Sequence, residues 1–148
     1  MIRAGLVAAA AAALVLGPAA PGFAATTTTG DVSAPWGDRA RVEFTWTDRT
    51  AVEGGTLTVS DLTCDDAPVY AVVTALTGSG ATIPLATTAR TAGCGQRAER
   101  TLTRVGDAAG IRQVTLSLCR PATGAAGAAC VTPYRATNPY GGFGGLRF

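Results

Sequence analysis

The chain has 148 residues and a mass of 14.8 kDa, with 12 basic against 10 acidic residues, four cysteines and no histidine. Every basic residue is arginine. Without histidine there is no Ser-His-Asp triad, no Cys-His pair and no imidazole metal ligand; without lysine there is no Schiff base and no P-loop phosphate grip.

The first 24 residues read as an export signal. Met1-Ile2-Arg3 is a short positive start, Leu6 to Leu16 is apolar, Gly17 and Pro18 break the run, and Gly22 and Ala24 place small residues around a cut after Ala24. The run is shorter than the roughly 20 apolar residues a membrane span needs. The expectation is a secreted, extracellular protein with no membrane attachment after cleavage. Residues 25–148 then carry 11 arginines and 10 carboxylates. A charge so near balance lacks the basic footprint of nucleic-acid binders, so no nucleic-acid partner is expected.

The elements follow in chain order. Residues 25–38, opened by Thr26 to Thr29, read as a flexible linker. Arg41 to Thr47 alternates Val42, Phe44 and Trp46 inward with Arg41, Glu43 and Thr45 outward, the pattern of a half-buried strand. Asp48 to Gly55 reads as a turn region, and Thr56 to Ser60 turns Leu57 and Val59 inward. Asp65-Asp66-Ala67-Pro68 is a breaker. Val69 to Leu76 is apolar on both faces and reads as a central strand covered on both sides. Ala81 to Thr87 carries Pro84, which assigns it to a sheet edge. Arg100 to Val105 reads as a further strand. Ile111 to Cys119 turns Val114, Leu116 and Leu118 inward, and Cys130 to Arg135 follows. The tail from Asn138 to Phe148 is rich in glycine and aromatic residues, and would add a strand to this sheet or to a partner's.

No apolar helical stripe follows the leader, and 22 threonines in residues 25–148 favour strands. The predicted fold is all-β: an antiparallel β-sandwich or small barrel of about 7–8 strands, forming one domain over residues 39–148. Val42, Phe44, Trp46, Leu57, Val59, Val73, Val114, Leu116 and Leu118 would supply its core.

Cys64, Cys94, Cys119 and Cys130 are an even set in an exported chain and predict two disulfides. Three pairings are open. The small-residue segment from Pro121 to Gly127 bends back cheaply and favours Cys119–Cys130, leaving Cys64–Cys94. The wide spacings do not suit a zinc site, which uses closely spaced pairs.

The leader, Gly54-Gly55-Thr56-Leu57-Thr58-Val59, Cys64-Asp65-Asp66-Ala67-Pro68-Val69-Tyr70-Ala71, Val114-Thr115-Leu116-Ser117-Leu118-Cys119, Cys130 and Asn138-Pro139-Tyr140 together resemble the small secreted disulfide-containing β-proteins of actinobacteria. That resemblance covers roughly residues 40–140. It implies compartment and fold, and supplies no site residues. The chain is also similar in size, compartment and cysteine number, though not in motif order, to the neocarzinostatin-type chromoprotein apoproteins, which implies a ligand-carrying sandwich by analogy alone.

Each reactive-looking group has a plain structural reading. Asp61, Asp65 and Asp66 could hold calcium through oxygen, but lack the EF-hand register, and Asp65-Asp66 before Pro68 suits a turn. Glu43, Glu53, Glu99 and Asp107 could include a pair for glycoside hydrolysis, which needs two carboxylates facing across a cleft, but an outward Glu43 on a strand is normally solvated. Neither a metal nor a cofactor is expected. Candidate ligand contacts are the rings of Trp36, Tyr70, Tyr134 and Tyr140, which could stack on a planar ligand or sugar, and the guanidiniums of Arg97, Arg100 and Arg104, the last two read as sharing a strand face. The expectation is a non-enzymatic extracellular module with a binding or structural role, its partner a small molecule or an extracellular protein. The alternatives are a secreted enzyme inhibitor presenting the Cys119–Cys130 loop and a small-molecule carrier with a ring-lined cleft.

Overall fold

A computed structural model describes residues 24–122, 128–131 and 133–141. All but the last residue of the expected signal peptide, residues 123–127 of the loop between Cys119 and Cys130, and residues 142–148 of the tail lie outside the described residues.

Among the described residues, ten strands form two antiparallel sheets packed as a sandwich: β1 (Thr26–Ser33), β2 (Arg39–Trp46), β3 (Ala51–Ser60), β4 (Tyr70–Thr77), β5 (Thr82–Thr87), β6 (Arg97–Thr101), β7 (Val105–Gly106), β8 (Ile111–Arg120), β9 (Ala129–Cys130) and β10 (Tyr134–Thr137). The first sheet runs β1-β2-β3-β6, with β7 also on β3; the second runs β10-β8-β4-β5, with β9 also on β8. All nine core residues read from the alternation are buried, and Val52, Val69 and Ile111 join them. Phe44 and Trp46 meet edge to face, with centroids 5.2 Å apart.

Four expectations are corrected. Residues 25–38 are not a flexible linker throughout, because β1 pairs with β2 along eight positions, from Thr26↔Trp46 to Ser33↔Arg39. The C-terminal tyrosines hold β1 in place. Tyr134 donates to the Thr29 carbonyl at 3.3 Å, and Tyr140 bonds the Thr26 hydroxyl at 2.9 Å. The Tyr134 ring lies against Gly30, where a Cβ would overlap it.

Gly54 and Gly55 are not in the turn. They form a bulge inside β3, where Phe44 pairs with Gly55 but Thr45 pairs with Glu53. Both glycines have positive φ, 49° and 125°, and a Cβ on Gly55 would collide with the Glu43 carbonyl. The turn proper is closed by Asp48, whose Oδ1 accepts from the Thr50 hydroxyl at 2.7 Å and the Ala51 N–H at 3.0 Å. These bonds, led by those from Thr50 and assisted by Arg104, hold the Asp48 carboxyl below its ordinary pKa.

The strand expected over Arg100 to Val105 is two pieces. Thr101 pairs with Thr56 and Val105 with Val52, so the gap between β6 and β7 faces the β3 bulge. Finally, β4 is central, between β8 and β5, but it is not covered on both sides: Ala71, Val73, Ala75 and Thr77 are buried while Tyr70, Val72, Thr74 and Leu76 are half-buried on the outer face.

Pro84 does lie on an edge strand, β5. Both disulfides form in the expected pairing, across 30 and 11 positions of sequence. Cys64–Cys94 ties the loop after β3 to the loop before β6, and Cys119–Cys130 joins directly paired positions of β8 and β9.

Candidate functional site

Antiparallel pairing places directly opposed residues on one face of a sheet. On the outward face of the first sheet this assembles lateral rows. One row reads Ser33, Arg39, Ser60, Arg97; the next reads Asp31, Arg41, Thr58, Glu99; a third reads Thr29, Glu43, Thr56, Thr101. Beyond the bulge, Thr27, Thr45 and Glu53 continue the pattern, and Arg104 reaches Glu53 at 3.0 Å. Hydroxyls and charges therefore cover a face whose reverse side is the hydrophobic core.

Three shallow depressions run along this face. The first, about 210 Å³, lies among Asp31, Arg39, Arg41, Thr58, Ser60 and Arg97. The second, about 290 Å³, adds Glu43, Thr56 and Glu99. The third, about 450 Å³, reaches Thr27, Thr45, Glu53 and Arg104. Arg41 sits 3.7 Å from Asp31, and Arg97 sits 3.2 Å from Glu99 and 3.2 Å from the Thr58 hydroxyl. All four charged side chains are more than half exposed. Pairs of this kind are screened by water and contribute little to stability. Among the described residues Arg39 has no ion-pair partner.

The arginines expected to act together are separated. Arg97 belongs to the outward face. Arg100 opposes Leu57, on the inward side of the edge strand β6. Arg104 lies beyond the end of β6, because that strand stops where its partner bulges, and it pairs with Glu53.

The four rings do not form a common surface either. Tyr134 and Tyr140 hold β1, and Tyr70 is half-buried on the outer face of the second sheet, in line with Val72 and Leu76. Trp36 lies in the loop between β1 and β2. The Arg120 guanidinium stacks 4.6 Å above its ring and bonds Asp65 at 2.7 Å and Asp38 at 3.2 Å. A depression of about 430 Å³ beside Trp36 is lined by Ser33, Pro35, Cys130 and Val131. Asp38 itself is fully buried: its Oδ1 accepts from the Leu62 and Thr63 N–H groups at 2.9 and 3.1 Å, and its Oδ2 takes Arg120.

The aspartates weighed for calcium do not converge. Asp61 is buried against the Thr91 hydroxyl at 2.9 Å, while Asp65 accepts the Ala67 N–H at 3.2 Å in a turn and pairs with Arg120. Among the described residues no group of three or more histidine, cysteine or acidic side chains is placed to hold a metal.

Arg39, Arg41, Thr58 and Ser60 were outside the sequence-based site. The outward alternation of Arg41, Glu43 and Thr45 is legible, but the sideways pairing that brings Arg97 beside Ser60 and Arg39 is not. Compared with known proteins, the chain matches no family model and no curated protein.

Proposed function

We propose that this protein is a secreted, non-enzymatic binding module that engages an extracellular ligand on the outward face of the β1-β2-β3-β6 sheet. The observation that carries the reading is the run of three contiguous depressions along one sheet face, lined by hydroxyl, guanidinium and carboxylate groups fixed in register. Two disulfides and an export-type leader support an extracellular setting. A composition without histidine or lysine supports a binding role over the commoner catalytic mechanisms.

A rigid strand lattice suits binding because its donors and acceptors are already ordered, which lowers the cost of association. The test is a titration of isotope-labelled protein with extracellular polymers, read as amide shift changes. Changes confined to β1, β2, β3 and β6 support the reading. Changes centred on Trp36 and Val131 would transfer it to a small-molecule carrier, the second reading, which the depression beside Trp36 favours. Changes on neither surface across the panel would refute both.

A further inference from the structure

We infer that the ligand of this face is an acidic polysaccharide, held through its acid groups by Arg39, Arg41 and Arg97. This rests on the binding-module reading above and names the ligand class.

Charge points to an anion. The first depression brings three guanidiniums together with the single carboxylate of Asp31. Arg39 is unpaired among the described residues, and the partners of Arg41 and Arg97 are exposed and weakly held. An incoming carboxylate or sulfate exchanges those contacts for charge-assisted hydrogen bonds of its own, and guanidinium geometry accepts either acid in two-point fashion.

Spacing points to a chain with separated charges. Arg39 and Arg97 occupy one row with Ser60 between them. Two strand intervals place their Cα atoms about 9.5 Å apart, and Arg41 lies about 7 Å from Arg39 along β2. That separation is on the scale of two linked sugar rings. Glu43 and Glu99, a row or two away, oppose any polymer with a charge at every step. Duplex DNA carries a charge about every 1.7 Å and meets that opposition fully. A saccharide with one acid group per ring or per pair of rings can set its acids over the arginines and its hydroxyls over Thr56, Thr58 and Ser60.

Among the described residues no aromatic ring stands in the outward rows, which strengthens the inference. Neutral-sugar recognition gains much from stacking on aromatic side chains, yet the outward rows are hydroxyl and charged. Hydroxyl-to-hydroxyl bonds only replace bonds to water and contribute little net affinity. The selective contribution left to this surface is ionic.

The experiment uses the secreted protein with alginate as a uronate chain, κ-carrageenan as a chain with one sulfate per pair of rings, neutral dextran, and double-stranded DNA, by calorimetry at two salt concentrations. The expected result is binding to alginate or κ-carrageenan, or both, with no measurable binding to dextran. The two acidic arms show whether carboxylate or sulfate is preferred. Arg39→Ala and Arg97→Ala should each weaken binding about tenfold and reduce its salt dependence. Arg135→Ala, on the second sheet, should leave binding unchanged, and all three variants should melt with the parent. Dextran binding equal to that of the acidic chains, with amide shifts still on this face, would overturn the inference and leave the module reading standing. Tighter binding to DNA would also overturn it. Acidic chains that bind with shifts elsewhere, or fail to bind at all, would overturn it; in the first case the site assignment of the module reading falls too.

Discussion

Replacing Asp38 by alanine should destabilise the protein by about 3 kcal/mol. The carboxylate is fully buried and divides its work between its two oxygens. Oδ1 accepts both the Leu62 and Thr63 N–H groups, and Oδ2 takes Arg120, whose side chain is 21% exposed. Alanine leaves two part-buried backbone donors without this acceptor, at about 1 kcal/mol each where water can partly replace it. Arg120 loses one carboxylate and keeps Asp65, a further cost of about 1 kcal/mol. For a domain of this size the sum corresponds to a fall in Tm of about 10 °C. Asp38→Asn separates the two roles: the amide oxygen still accepts both N–H groups, while its NH₂ faces the guanidinium. Its loss should be about half that of alanine. Equilibrium urea unfolding of the three proteins is the assay. If the alanine variant lies within about 0.5 kcal/mol of wild type, or the two variants are equal, the division of labour is wrong.

Gly55→Ala should be among the most damaging single substitutions, about 3 kcal/mol or more, because a positive φ and the Glu43 carbonyl both reject a Cβ; a Tm within a few degrees of wild type would show that the bulge relaxes. In the chain-entropy account, removing Cys64–Cys94 by a double alanine replacement should cost about 3.5 kcal/mol and removing Cys119–Cys130 about 3; a reversed order, by urea unfolding, would mean that native contacts rather than loop length set the cost. Asp48 has its folded pKa lowered, chiefly by bonds from Thr50, so its stabilisation is present above the unfolded aspartate pKa and fades as pH falls through the folded value. Asp48→Asn should therefore narrow the stability difference between neutral and acid pH; an unchanged difference would show that this turn does not contribute to the acid limb.

What was legible in the sequence is what strands encode locally. Val42, Phe44 and Trp46 alternate with polar residues, as do Leu57 and Val59, and no distant information is needed to turn them inward. β1 was not legible for the same reason in reverse. Its inward positions are Thr28, Gly30 and Val32, so most of the apolar signal is missing. The strand forms because β2 pairs with all of it and because Tyr134, more than a hundred residues later, packs where Gly30 has no side chain. The candidate site was illegible in a further way. Arg97 could be singled out as a residue, but its neighbours on the face, Ser60 and Arg39, are set by the register of three strands. The grouping of Arg100 with Arg104 failed because it assumed an unbroken strand opposite an unbroken β3.

The bulge at Gly54 and Gly55 links these features. Pairing on the near side runs Glu43↔Thr56, and on the far side Thr45↔Glu53, so one residue is inserted and the parity of β3 is reversed. Without the insertion, Val52 would point outward and Glu53 into the core. With it, Val52 is buried and Glu53 joins the outward face beside Arg104. The same insertion splits the partner strand into β6 and β7, which ends the regular face at Thr101 and leaves Arg104 free to swing to Glu53. A single pair of glycines thus decides which side chains fill the core and which complete the third depression. The arginine rows lie on the other side of the bulge, toward the end where β1 turns into β2 and β6 begins, and pairing there is uninterrupted from Arg39↔Ser60 through Glu43↔Thr56. Positional regularity is greatest where the proposed ligand needs a fixed spacing, and the irregularity is confined to the end where packing requires it.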